Sequence, residues 1–302
     1  MSVSPHGILT GRASEDDLFA YRAQRWLWNE SKQLQRRHIK FDVQNLIKVA
    51  EEAAGRAAVC TNITRLPEGN FNKVFLASMK DGRQLIVKIP NPNAGRPHYT
   101  TASEAATMDY LKSILNIPVP RILAYYCSRA KESKLGAEYI IMEKAPGIEL
   151  GRVWDSLKGR DKANIAKQLG DLTARLSSAR FASYGSLYYG RDLADDESRS
   201  IDVTFVVGPT TARGWFDDVR DEMDVHRGPW TSSGEVMDAL VQREIACLNA
   251  FSSFPTDRQH GIFNGPDGYR PAHNAKVKVL RDFQKICLHI LPKRESLNEG
   301  II

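Results

Sequence analysis

Leu66-Pro67-Glu68-Gly69-Asn70-Phe71-Asn72 joins two stretches that read as strands, the short Thr61–Leu66 and Lys73–Met79, and Lys80-Asp81-Gly82 leads on into Gln84–Ile89. Val74, Leu76 and Ser78 alternate with Phe75, Ala77 and Met79, the two-residue period of a strand with two different faces. Asp-Gly between two such runs is a strong hairpin signal, because both residue types accept the backbone of a tight turn. Three consecutive strands are therefore expected over residues 61–89, with Lys88 near the end of the third. Beyond Pro90, Pro92 and Pro97 a helix is expected from Thr101 to about Leu115, with Ala105, Met108, Leu111 and Leu115 as its buried stripe.

The surrounding sequence extends this pattern in both directions. Upstream, Asp42 is placed to cap a helix through Ala54, with Val43, Leu46, Ile47 and Ala50 on one face and Gly55 as its stop. Tyr21 to Trp28 is an aromatic segment that must pack on something, and residues 1–17 read as a flexible tail. Downstream, strands are expected at Arg121–Ser128 and Ala137–Glu143, and Pro146-Gly147 breaks the chain where two lobes would meet. Helices follow at about Arg160–Ser178, Gly234–Phe251 and Asn274–Leu291, the last with Val277, Leu280, Phe283, Cys287 and Ile290 as its apolar face. Residues 191–233 form a long, weakly patterned insert. The expected class is α+β: a small antiparallel sheet with a helix over residues 18–145, then an incomplete helical lobe over 146–302.

Composition narrows the function classes. With 302 residues, 42% hydrophobic and 26% charged, the chain is an ordinary globular one with room for two lobes. Its formal charge of +6 is scattered, with Arg36-Arg37 as the densest short run, and no zinc spacing, RNP motif or basic aromatic stripe accompanies it. A mixed surface is expected, without nucleic-acid binding. Cys60, Cys127, Cys247 and Cys287 lie far apart with no C-x-x-C and read as reduced thiols. No apolar run approaches membrane-spanning length, and the N-terminus lacks the pattern of a secretory signal. On these grounds alone the compartment would be the cytosol.

The candidate chemistry lies in residues 69–104. A turn carrying Gly69, with Asn70, Phe71 and Asn72, can bring backbone N–H groups close to anionic oxygens, although a single glycine also serves an ordinary hairpin. Lys88 ends an apolar strand, so its stem is packed and its ammonium is a fixed positive charge suited to the α- and β-phosphates of ATP. Glu104 can orient Lys88 by an ion pair from the next helix. Thr101-x-x-Glu104 is also a capping box, in which the glutamate would instead serve the Thr101 backbone. Past the fifth strand Met142 would wall the adenine, and backbone groups of Glu143 and Ala145 would make hinge hydrogen bonds. No histidine is followed two residues later by aspartate, so no H-x-D catalytic loop is present. His260-Gly-Ile262 has isoleucine where a base is needed, and Asp282-Phe283-Gln284 sits within a helix pattern. No G-x-S-x-G elbow supports hydrolysis.

These residues together resemble the aminoglycoside-phosphotransferase-like kinases, and within them the chain is similar to the fungal group named Altered inheritance of mitochondria protein 9. The resemblance runs from about Arg25 to Leu297 and is carried by Arg25-Trp26-Leu27-Trp28, Leu66 to Asn72, Val87-Lys88-Ile89-Pro90, Tyr139 to Glu143 with Pro146-Gly147, Tyr184 to Tyr189 and Arg227-Gly228-Pro229-Trp230. It implies a protein-kinase-like bilobal fold, a mitochondrial location and an ancestry of ATP-dependent phosphotransfer. In such enzymes the helix ending near Leu291-Pro292 leads to a catalytic loop with an aspartate base, then metal-binding residues; here Ser296-Leu297-Asn298 is followed by Glu299 to Ile302. The expectation is a chain truncated before that loop, binding ATP weakly without support for Mg²⁺ and without turnover. Its uncovered helical lobe would invite a protein partner, as in a pseudokinase scaffold. On this picture Arg243→Glu, on the surface, would matter little.

Overall fold

The computed structural model describes residues 18–127, 133–217, 220–250 and 272–291. The expected tail over 1–17, the His260 to Asn264 stretch and everything beyond Leu291 lie outside the described residues. The chain divides into two compact units, Met1–Leu176 and Ser177–Ile302.

The first unit is built on five antiparallel strands: β1 (Cys60–Arg65), β2 (Asn72–Met79), β3 (Gln84–Pro90), β4 (Ile122–Tyr126) and β5 (Tyr139–Glu143), in the order β1-β2-β3-β5-β4. The Asp81-Gly82 hairpin sets β2 against β3 so that Phe75 faces Val87 and Val74 faces Lys88 across the ladder. One face of the sheet buries Phe75, Ala77, Val87 and Ile89 against helix α2 (Val43–Ala54), which contributes Leu46, Val49 and Ala50. A short helix, α1 (Glu30–Gln35), precedes it. The α2 start is capped as expected, the Asp42 side chain accepting the Asn45 N–H at 2.9 Å, and Gly55 ends it at φ 102°.

Helix α3 (Tyr99–Ser113) begins two residues before the expected Thr101, and it packs beside β4 and β5. Its buried face is Ala102, Ala105, Ala106 and Tyr110, whereas Met108, Leu111 and Leu115 are only half-buried. The expected stripe is thus shifted: small alanines let the helix approach the sheet more closely than long side chains would. A one-turn helix, α4 (Leu150–Val153), leads to α5 (Gly159–Ser178), of which no residue is buried. Arg175 of α5 donates to the Asn116 carbonyl at 2.8 Å.

The second unit corrects the reading of 191–233 as weakly patterned. Strands β6 (Ser186–Tyr189), β7 (Arg199–Ser200) and β8 (Phe205–Gly208) form a second antiparallel sheet in the order β6-β8-β7. These strands are two to four residues long, and every position of β8 is buried, so no alternation betrays them. The Tyr188 hydroxyl, on a fully buried side chain, donates to the Pro209 carbonyl at 2.6 Å. Trp215, Phe216 and Trp230 form a separate aromatic cluster. Helices α6 (Ser233–Ala250) and α7 (His273–Ile290) pack together through Cys247 and Leu248 against Val277 and Leu280. Of the stripe expected on α7, Cys287 is buried, Phe283 is half-buried and Ile290 is exposed. Arg243 is not a free surface residue: its guanidinium lies 4.7 Å from the Trp215 ring centroid and 2.6 Å from Glu244.

Candidate functional site

Strand register decides which residues share the face opposite α2. Lys88 pairs laterally with Val74 on one side and Ile140 on the other, and Ile86 pairs with Leu76 and Met142. Because side chains directly opposite one another in a ladder point the same way, Val74, Leu76, Ile86, Lys88, Ile140 and Met142 line one surface. The Lys88 ammonium forms an ion pair with the Glu104 carboxylate of α3, the two side chains retaining 16% and 34% exposure. Both groups are therefore positioned by packing yet accessible to a ligand.

The capping-box alternative for Glu104 is not the one adopted. Thr101 lies inside α3 rather than at its cap, and its hydroxyl donates to Glu138. The other Glu138 oxygen accepts the His98 N–H. Glu104, inside the helix, pairs with Lys88 instead.

The turn between β1 and β2 is pinned from behind. Pro90, two residues beyond Lys88, pairs with Asn72 at the turn's end, so the ammonium-bearing residue sits about 7 Å along the ladder from it. Gly69 has ordinary negative-side backbone geometry, and a Cβ there would meet nothing within 4 Å. Its value is open space above the backbone, not a strained turn. Neighbouring Glu68 is buried, with 2% of its side chain exposed; it accepts the Arg22 N–H at 2.8 Å and pairs with Arg65 and with Lys73 at 3.3 Å. Lys73 is fully buried, and burial pushes its pKa below the usual lysine range, with Glu68 opposing that shift. The Asn70 carbonyl accepts from Arg37 Nε at 3.2 Å and from Asn93 Nδ2 at 3.4 Å, and its side-chain oxygen accepts the Tyr21 hydroxyl at 3.2 Å. The Phe71 carbonyl accepts the Asn91 N–H at 2.7 Å. Asn91 itself is 2% exposed, and neither its side-chain oxygen nor its nitrogen engages a protein partner.

Glu68, Lys73, Arg37 and Asn91 were not among the residues expected from sequence. Lys73 was within reach of it. The alternation that buries Phe75 and Ala77 puts Lys73 on the same face, and a lysine facing a core requires a nearby carboxylate. Arg37 carries no such signal, because its partner lies 33 residues away.

At the far end of the sheet Met142 lies on the Lys88 face and is half-buried. The Glu143 amide N–H is already committed to the Arg121 carbonyl at 3.0 Å, and its carboxylate to the Arg121 guanidinium at 2.9 Å. Its N–H therefore does not serve as a hinge donor. Ala145 lies beyond the strand, exposed. Asp282 behaves as a surface aspartate on α7: the hydrogen bond from Lys278 holds its carboxyl below the usual range, with Lys285 adding to the effect. Among the described residues, no group of three or more His, Cys, Asp or Glu side chains is placed to hold a metal ion. A fixed ammonium, an open turn beside it and an apolar wall on the same face form a donor set that fits a polyphosphate joined to a flat aromatic base.

A five-stranded antiparallel sheet whose third strand offers a lysine to a helix-borne glutamate is a kinase-like lobe. Residues 62–251 match the Phosphotransferase enzyme family, and the chain belongs to that family. A subtelomeric hrmA-associated cluster protein of Aspergillus fumigatus is 42% identical over 170 residues, 56% of this chain and 33% of that protein. Altered inheritance of mitochondria protein 9, mitochondrial, from Yarrowia lipolytica is 24% identical over 273 residues, 78% of this chain and 46% of its own length. The protein of the same name from Candida tropicalis is 26% identical over 262 residues, 79% of this chain and 42% of its own. The chain spans about a third to somewhat under half of the length of these curated relatives.

Proposed function

We propose that the first unit binds ATP across the Lys88 face of the five-stranded sheet, and that these 302 residues do not by themselves transfer its phosphate. The observation that carries the reading is the Lys88–Glu104 ion pair beside the open Gly69 turn. Lys88 neutralises the α- and β-phosphates and Glu104 holds it in place. Gly69, Asn70, Phe71 and Asn72 cover the phosphates, while Met142 walls the base and the Glu143 carbonyl and the Ala145 backbone contact its edge. Bound ATP would supply the phosphoryl group; what this chain does not supply is an H-x-D aspartate to take the acceptor's proton. On this reading binding rests on Lys88 and the turn, without a metal-ligating group among the described residues of this chain, and is weak and little dependent on Mg²⁺. Relatives bearing a mitochondrial name support a mitochondrial location for this chain, which subcellular fractionation tests.

Calorimetric titration with ATP, with and without Mg²⁺, tests the binding. Lys88→Met is expected to weaken it at least tenfold, about 1.4 kcal/mol, and Glu104→Gln by less. Unchanged affinity in Lys88→Met, or phosphoryl transfer by the 302-residue chain, overturns the proposal.

A second reading, a binding or scaffold protein without catalysis, has its own observation. On α7, Val279, Ile286, Leu288 and Ile290 are all more than half exposed. On this reading α7 is covered by a partner protein. Sedimentation with Ile286→Lys and Leu288→Lys distinguishes it: association that those changes leave intact excludes α7 as the contact.

A further inference from the structure

Residues 18–37 touch the turn between β1 and β2 at several independent points. Arg22 donates its N–H to Glu68, Tyr21 its hydroxyl to Asn70, and the Ala20 carbonyl accepts from Arg65 at 2.8 Å and Lys73 at 3.2 Å. Arg37 reaches the turn's backbone itself, at the Asn70 carbonyl. It is 8% exposed, and its guanidinium carbon lies 4.5 Å from the Trp26 ring centroid and 5.4 Å from that of Tyr21. Nη1 donates to the Gln33 backbone and side-chain oxygens at 3.0 and 2.8 Å, while Nε donates to the Asn70 carbonyl. The guanidinium is thereby held against two rings and by α1 before it reaches the turn.

We infer that Arg37 is a positioning residue for the phosphate turn, and that nucleotide grip is coupled to docking of the 18–37 segment. The inference rests on the nucleotide reading above. A peptide unit is planar, so fixing the Asn70 carbonyl fixes the whole unit between Asn70 and Phe71. The Asn91 N–H on the Phe71 carbonyl fixes the next one. Two successive peptide planes are thus set from outside the turn, the first by the Arg37 side chain at 3.2 Å with a longer contact from Asn93 at 3.4 Å. A turn so held presents its backbone dipoles without first having to order them, which is the gain from preorganisation. Lysine cannot replace Arg37, because it has neither the planar fork nor a flat face to lie on the rings.

Parallel titrations of ATP and adenosine against wild type, Arg37→Ala, Arg37→Lys and Tyr21→Phe test this, with amide exchange at Gly69–Asn72 as a second readout. Arg37→Ala is expected to weaken ATP about tenfold and leave adenosine within about twofold, since the turn acts on the phosphates alone. Arg37→Lys should resemble Arg37→Ala, and Tyr21→Phe, which deletes only a hydroxyl, should show a smaller loss in the same sense. Equal loss of ATP and adenosine, or no loss of either, overturns the inference. If wild type binds no ATP, the nucleotide reading fails by itself and exchange decides the positioning role. Faster exchange at the turn in Arg37→Ala with α2 unchanged supports it, and unchanged exchange at the turn overturns it.

Discussion

Replacing Glu68 by glutamine keeps the shape of the side chain and removes its charge from a place where water cannot compensate. Glu68 has 2% of its side chain exposed and Lys73 has none. Without the carboxylate, Lys73 retains the neutral Ala20 carbonyl at 3.2 Å, and Arg65 remains close by as a like charge. Breaking a buried ion pair by removing one partner costs about 3–5 kcal/mol. Lys73→Met removes the buried ammonium instead, leaving Glu68 with Arg65 and the Arg22 N–H, and should cost about 1–2 kcal/mol. The double variant should be more stable than Glu68→Gln alone, because it removes the fully buried Lys73 charge and leaves only the partly exposed Arg65 without its carboxylate. The sign of the pH dependence follows from Lys73, whose folded pKa already lies below its unfolded value. Such a group weakens the fold fully below its folded pKa, and the penalty fades as pH rises toward the unfolded value of about 10.4. Losing Glu68 lowers the folded pKa further, so the gap between wild type and Glu68→Gln should be wide at neutral pH and narrower at about pH 9.5. Urea unfolding of the four proteins at both values measures it. A Glu68→Gln loss below about 1 kcal/mol, or a gap that does not narrow, refutes the account of the turn's anchor.

Two further predictions concern the second unit. Arg243→Glu removes the guanidinium from Trp215 and puts a carboxylate beside Glu244, which Arg220 also approaches at 3.3 Å; a loss of about 1–3 kcal/mol is expected by chemical denaturation. An effect within about 0.5 kcal/mol would restore the simple surface reading drawn from sequence. Gly185→Ala should be more damaging than its size suggests, since the new Cβ would lie 2.2 Å from the Gly208 carbonyl oxygen, a backbone atom of β8 that cannot swing away. Thermal unfolding checks this, and a melting temperature equal to wild type would contradict the packing of β6 on β8.

How much could be read from the residues varied with distance along the chain. The α2 cap at Asp42, the Asp81-Gly82 hairpin and all five strands of the first sheet fell within a few residues of their expected positions, because each signal is local. The second sheet is not legible in the sequence because its strands are too short for periodicity to register. The α3 stripe was misplaced because helical spacing marks the apolar residues without saying how closely the helix approaches the sheet. The Arg243 contact is hidden for a related reason: nothing near it in sequence announces Trp215.

The candidate site divides along the same line. Which residue types are candidates for the site, a strand-end lysine, a helix glutamate and a glycine turn, was legible in the sequence alone, since strand and helix periods determine where those side chains can point. Only the folded chain settled that Glu104 serves Lys88 instead of the backbone at Thr101, because the choice depends on where the helix begins: it starts at Tyr99, which puts Thr101 inside it and leaves no cap there for Glu104 to close. Only the folded chain showed that the turn is braced by Glu68, Lys73 and Arg37. Those contacts join segments brought together by burial of the sheet's other face, and no local pattern encodes a partnership that packing alone creates.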